Sequence, residues 1–244
     1  MNREEDSKRF NLLVLIPNSG MTGETLEKRR KMLQGYASPE TRVTVECIPG
    51  GPESIESETE EFTAGIYILK RAETLSASGF DSMIVYCFSD PAVHAARELS
   101  DVPVIGPGYV TLMIAQEIAD RYSVLTVLDE TVSLNERKIR GNGMDMSRCA
   151  SVRSIDIPVS DLREDLEATY EALKTSASEC MKEDGAHCIV LACLGMAGLG
   201  ERLQKELGIP VLDPAPVSVR YAELLNQSKL TYSRLSYGMS KKRR

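Results

Sequence analysis

Short runs of Val, Ile and Leu recur along the chain, at Leu12–Ile16, Val43–Cys47, Met83–Cys87, Val102–Ile105, Val124–Leu128, Ile189–Cys193 and Ile209–Leu212. Runs this short and this continuously apolar predict strands buried on both faces of a parallel sheet. Between them lie stretches of helix length. Ser57 and Glu60 stand at capping-box spacing at the head of one, and Phe62, Ile66 and Leu69 follow three or four apart, which predicts an apolar helix face. Ser133 and Glu136 repeat the capping spacing and predict a second helix start. Strand and helix in alternation predict an α/β fold with right-handed crossovers and helices on both faces of each sheet.

The pattern is also written twice. Gly79, an apolar run, Cys87 and Pro103 are echoed by Gly185, an apolar run, Cys193 and Pro210, at offsets of 106, 106 and 107 residues. A weaker echo pairs FNLLVLIP from Phe10 with YSVLTVLD from Tyr122. An internal duplication explains both, and predicts two pseudo-twofold-related lobes, each a mostly parallel sheet flanked by helices, with the site in the cleft between them. The expected first lobe is residues 1–108 with 216–244, the last helix crossing back to it. The expected second lobe is 109–215.

Ligands of open parallel sheets bind beyond the carboxyl ends of the strands. Each repeated cysteine closes a predicted strand there, so the duplication places two thiols on opposite walls of one cleft. Such a pair can invert an acidic stereocentre: one sulfur takes the proton from one face while the other delivers a proton to the opposite face. A helix N-terminus just after each cysteine is expected to favour thiolate.

Composition narrows the remaining classes. The 244 residues carry a net charge of −7 with only two histidines, His94 and His187. An acidic chain offers no concentrated basic face for nucleic acid or an anionic membrane surface, and the terminal KKRR is expected to be a solvated tail. No run of 18 apolar residues predicts a membrane span, and the first ten residues have no apolar signal-like core, so a cytoplasmic protein with reduced thiols is expected. The six cysteines include no CxxC, which leaves a zinc site little to use. GMAGLG from Gly195 lacks the glycine order of a dinucleotide loop. Cys47, Cys149, Cys180 and Cys188, together with Met21 and Met32, read as core residues.

Six stretches carry a family resemblance: LLVLIPNSGMT at the first strand, GPESIES from Gly51, CFSDPAVHAARE from Cys87, PVIG from Pro103, LACLGMAGL from Leu191 and GIPVLDP from Gly208. In this order they resemble the aspartate/glutamate racemase superfamily, and within it the hydantoin and allantoin racemases. The resemblance implies a racemase that needs neither metal nor other cofactor, acting on a small-molecule substrate such as a 5-substituted hydantoin or allantoin, and assembled as a homo-oligomer. It implies Cys87 and Cys193 as the catalytic pair, with Asn18, Ser19, Ser89, Asp90, Leu194, Gly195 and Met196 lining the substrate site. The chain departs from the pattern at Pro107–Val110, at Asn18–Gly20 and at Ala192–Leu194. Leu194 and Gly195 also stand where glutamate racemases place a histidine after the second cysteine, which leans towards a cyclic substrate. Racemisation of free aspartate or glutamate, a non-catalytic small-molecule binder and a thiol redox switch are the alternative readings.

Overall fold

The computed structural model describes residues 9–238, so the KKRR segment and most of the first ten residues lie outside the described residues. Elements alternate through two equivalent series. The first is β1 (Phe10–Ile16), α1 (Gly23–Tyr36), β2 (Thr41–Cys47), α2 (Glu58–Glu73), β3 (Ser82–Val85), α3 (Val93–Leu99), β4 (Val104–Ile105) and α4 (Pro107–Ile118). The second is β5 (Tyr122–Thr126), α5 (Glu130–Gly141), β6 (Cys149–Ser154), α6 (Leu166–Lys182), β7 (Cys188–Leu191), α7 (Gly200–Leu207), β8 (Val211–Leu212) and α8 (Pro214–Gln227). They build two parallel four-stranded sheets, ordered β2-β1-β3-β4 and β6-β5-β7-β8, flanked by helices.

The repetition reaches single hydrogen bonds. Met83 N–H donates to Pro103 O and Ile189 N–H to Pro210 O; Tyr86 N–H donates to Leu15 O and Ala192 N–H to Leu125 O, each of the latter two at 2.8 Å. The glycine that opens each unit has a conformational reason, since Gly79 and Gly185 take φ of 78° and 69°, where a Cβ is disfavoured.

Alternate residues of the strands feed separate cores. Leu12, Val14 and Ile16 of β1 join Tyr122 and Val124 of β5 in one cluster between the sheets, completed by Val110, Leu112 and Ala115 of α4 and Val219 and Ala222 of α8. Leu13 and Leu15 face outward under α2, while Leu125 and Leu191 face outward under α6. Helix α4 leaves the first sheet and packs on β7 of the second; α8 leaves the second and packs on β1 and β3 of the first. The two helices also pack on each other, so the inter-sheet core is tied by a reciprocal exchange.

Four details differ from the sequence reading. Strand β6, CASVRS, was missed: it is a sheet edge, every residue of it half-buried, and its polar alternation offers no continuous apolar run. Of the expected apolar face of α2 only Leu69 packs against the core, while Phe62 and Ile66 point outward, 84% and 56% exposed. The helix buries Ala64, Gly65, Ile68 and Ala72 instead, because small residues let it come close; a Cβ on Gly65 would lie 3.3 Å from that of Ala92. Ser57 caps α2 as expected, accepting the Glu60 N–H while the Glu60 carboxylate accepts the Glu56 N–H. Ser133, by contrast, lies inside α5, which starts at Glu130. Finally, β3 and β7 end at Val85 and Leu191, so each repeated cysteine sits two residues beyond its strand rather than closing it.

Candidate active site

A cavity of about 570 Å³ opens at the carboxyl ends of both sheets, within the size range of small-molecule sites. Both repeated thiols line it, each half-buried. Cys87 follows β3, and its Sγ shares a hydrogen bond with the Ser89 hydroxyl at 3.2 Å. Cys193 follows β7 and opens a 3-10 turn over Leu194–Met196, where its Sγ accepts the Gly195 N–H at 3.3 Å. All six cysteines are free thiols.

The electrostatics correct the expectation of easily formed thiolates. Helix α3 begins at Val93, too far along to face Cys87, and its N-cap is Ala92 in a left-handed conformation. Burial pushes the Cys87 thiol up to about 12, against the bond from Ser89, with the Cys193 and Glu61 charges adding to the rise. Burial also raises Cys193, with the Glu56 charge adding to the rise, but there the Gly195 N–H, Arg29 and Arg163 pull the other way. A low-dielectric pocket disfavours the charged thiolate, and that effect outweighs the single turn of backbone dipole.

Six of the nine residues expected in the site share the cavity: Asn18, Cys87, Ser89, Cys193, Leu194 and Gly195. Three stand outside its lining. Ser19 donates its hydroxyl to the carbonyls of Gly51 and Pro52 and shapes the loop behind the GPESIES stretch. Met196 is fully buried in the core beneath α6. Asp90 turns away and accepts N–H bonds from Gly108 at 2.9 Å and Tyr109 at 2.7 Å, so it fastens the Cys87 loop to the head of α4. The Pro107–Val110 departure thereby has a structural meaning: a Cβ on Gly108 would lie 1.9 Å from the Phe88 carbonyl oxygen, so only glycine lets the helix meet that loop.

Other lining residues come from helices read only as amphipathic or not read at all. Met21, Thr25, Lys28, Arg29 and Met32 line the cavity from the head and one face of α1, and Thr131, Leu134, Asn135 and Lys138 from one face of α5. The spacings of three, four and seven residues put each set in one row. Met21 and Met32, read as core filler, face this space. On the α5 side Asn135 donates to Thr126 Oγ1 at 2.9 Å, and Thr126 pairs with Thr131 at 2.7 Å, forming a buried polar cluster. Glu56 of the GPESIES stretch reaches into the other half and accepts the Val159 N–H at 2.7 Å. His94 lies apart, beside Tyr237. Among the described residues no group of three His, Cys, Asp or Glu side chains is placed to hold a metal, and no helix is long and apolar enough to cross a membrane.

Two thiols on matching loops, a mostly apolar cavity and a few directed polar groups are the parts that proton transfer at carbon requires. Comparison with known proteins points the same way. The Asp/Glu/Hydantoin racemase family model matches residues 12–222. A hydantoin racemase of Rhizobium meliloti is 36% identical over 214 residues, spanning 87% of each protein. The structure of an allantoin racemase from Klebsiella pneumoniae superimposes with a TM-score of 0.88 at 30% identity, covering 95% of this chain and 94% of that one. A glutamate racemase from Francisella tularensis shares the fold with a TM-score of 0.62 at 16% identity, covering 93% and 84%.

Proposed function

The chain belongs to the Asp/Glu/hydantoin racemase family, and from that premise we propose that it racemises hydantoin-type substrates, 5-substituted hydantoins or allantoin, by two-base chemistry at Cys87 and Cys193. The observation that carries this reading is the placement of the two thiols on equivalent loops after β3 and β7, both facing one cavity. The hydantoin and allantoin relatives, similar over most of their length, support the substrate class.

In this mechanism one cysteine, as thiolate, takes the hydrogen from C5 of the ring. The electron pair moves into the adjacent carbonyl as an enolate, and the other cysteine, as thiol, protonates C5 from the opposite face. Turnover leaves the sulfurs with exchanged protonation states, ready for the opposite enantiomer. Burial that raises both thiols costs thiolate population at neutral pH but makes each thiolate that forms a stronger base towards carbon. The Asn18 side chain and the Thr126, Thr131 and Asn135 cluster supply fixed dipoles in the cavity for the ring carbonyls and the developing oxyanion. Asp90 acts as a positioning residue through the Cys87 loop. The exposed Phe62 and Ile66 of α2 support assembly as a homo-oligomer.

Proton NMR in D₂O with reductant tests the reading. The α-hydrogen signal is followed for single enantiomers of 5-substituted hydantoins, allantoin, aspartate and glutamate. Enzyme-dependent exchange with loss of optical rotation is expected on the cyclic ureides, rising with pH as thiolate forms. Exchange confined to free aspartate or glutamate would refute the substrate class, and none on any compound would refute the reaction.

A further inference from the structure

Arginines in this chain are generally paired: Arg30, Arg71, Arg137, Arg153, Arg202 and Arg220 each meet a carboxylate within 3.2 Å. Two in the cavity are not. Arg29, on the cavity face of α1, has a buried Nη1 with no partner and forms no ion pair among the described residues. Arg163, in the turn before α6, donates Nη2 to Ala197 O at 2.5 Å and rests on Met32 Sδ at 3.7 Å, but its Nε is buried without a partner. Asp213, whose charge acts on Arg163, already accepts the Gly198 and Ala215 N–H groups.

Two guanidiniums close enough to repel each other, each with an unsatisfied buried donor, are an unfavourable arrangement in an empty site. Burial, and then the charge of Arg29, depress Arg163. Glu53 and Glu56 line the same cavity, but neither pairs with these guanidiniums among the described residues, and Glu56 is committed to the Val159 N–H. The Glu61–Lys138 pair, whose carboxylate acts on Cys87, leaves an unused acceptor in the same cavity. Glu61, only 6% exposed, gives one oxygen to Lys138 at 2.5 Å and leaves Oε1 buried and unpartnered, an acceptor for a ligand N–H.

We propose that Arg29 and Arg163 form an anion subsite beside Cys193, and that the preferred substrate is a hydantoin whose 5-substituent ends in a carboxylate, with a ring N–H turned towards Glu61 Oε1. The hydantoin scaffold rests on the racemase reading; the carboxylate rests on the two unpaired guanidiniums. A planar guanidinium matches a carboxylate bidentately and cannot shed its charge, whereas a carboxamide of the same shape offers only a neutral oxygen.

The test compares hydantoin-5-propionic acid with its primary amide, an isosteric neutral probe. Dissociation constants are measured by calorimetry, and C5 exchange by NMR, for the wild type and for Arg29→Gln and Arg163→Gln. The acid is expected to bind about 10- to 100-fold more tightly than the amide, as charge-assisted hydrogen bonds in a partly buried site do, and the ratio is expected to fall towards one in either variant. Equal binding of acid and amide by the wild type, or a preference that survives both substitutions, overturns the subsite. Arg29→Gln breaks no hydrogen bond among the described residues, so it decides the matter should Arg163→Gln, which releases Ala197 O, fail to fold. Preference for the acid without C5 exchange on either probe would refute the racemase reading while sustaining the subsite, whereas exchange with equal affinities would do the reverse.

Discussion

Behind Cys87 the loop carries its own carboxylate, Asp90, which reaches forward to the N–H groups of Gly108 and Tyr109 at the head of α4. Behind Cys193 the carboxylate belongs to the helix: Asp213 caps α8 through the Ala215 N–H and reaches back to the Gly198 N–H of the loop. In both halves an acid ties the thiol loop to the helix that crosses to the other sheet, but from opposite ends of the tie. The two halves meet the same mechanical requirement with differently placed residues. Local charge diverged further. Each sulfur has a backbone N–H that favours its charge, from Ser89 or Gly195, and a carboxylate that opposes it, Glu61 or Glu56, but Cys193 alone also has two arginines nearby. The halves therefore share a scaffold and differ in how readily each sulfur ionises.

The strongest way to break this comparison is to remove one thiol at a time. Cys87→Ser and Cys193→Ser are each expected to lower racemisation by about 10²- to 10⁴-fold, the usual contribution of a positioned proton-transfer group. The equilibrium constant between enantiomers is one, so kcat/KM falls equally in both directions whichever sulfur is lost. Exchange with retention separates them: each variant should still wash out the α-hydrogen of the one enantiomer that faces its remaining thiol. Chiral chromatography alongside NMR in D₂O reads both quantities. A variant that racemises at the wild-type rate would make its cysteine a spectator and the symmetry of the loops merely structural.

A smaller perturbation addresses the ties themselves. At Gly108 an added Cβ meets the Phe88 backbone oxygen at 1.9 Å, and backbone cannot rotate away as a side-chain end can. A close approach at the α8 cap in the second half is milder, with a Cβ on Gly200, the first residue of α7, lying 2.9 Å from that of Asp213. Gly108→Ala is expected to destabilise by about 1–3 kcal/mol, the usual range for overpacking, and to reduce activity beyond that by displacing the residue next to Cys87. Gly200→Ala should cost less on both counts. Urea denaturation with parallel rate measurements checks the order, and a reversed order would mean the second loop is the more rigidly held.

These contrasts mark where the sequence is legible. Short apolar runs made seven of the eight strands readable, even edge strand β2, and the Gly79–Pro103 and Gly185–Pro210 echo pointed to the repeated half and to both thiols. Edge strand β6 hides because half its surface is wet and its pattern is polar. The α2 face misled because close packing selects Ala64, Gly65 and Ala72, not the larger Phe62 and Ile66. Arg29 and Lys138 were invisible for a related reason: a polar residue facing a cavity and one facing solvent occupy the same rows of a helix, and only the other wall tells them apart. Asp90 was noticed but assigned to the substrate, since sequence order cannot show that its carboxylate turns away from the pocket towards Gly108.

The subtlest difference between the ties is their response to pH. Burial pushes the Asp90 carboxyl up to about 7, against the two N–H groups that favour its charge, and Asp213 shifts in the same direction for the same reason. An unfolded aspartate titrates near 3.9. Between about pH 4 and pH 7 the native protein therefore holds a proton at Asp90 that the unfolded chain has released. Stability from this group is complete below the unfolded pKa and is lost as pH rises to about 7, with a slope of at most about 1.4 kcal/mol per pH unit. Asp90→Asn should flatten that part of the profile while keeping one oxygen for the α4 N–H groups. Asp213→Asn should remove a further, separate part, because the two acids fasten different helices. Denaturation midpoints at pH 5, 6, 7 and 8 give the slopes. If the difference between wild type and Asp90→Asn stays constant across that range, Asp90 is ionised throughout and its tie to α4 is a charged cap that gains, rather than loses, from the deprotonated state.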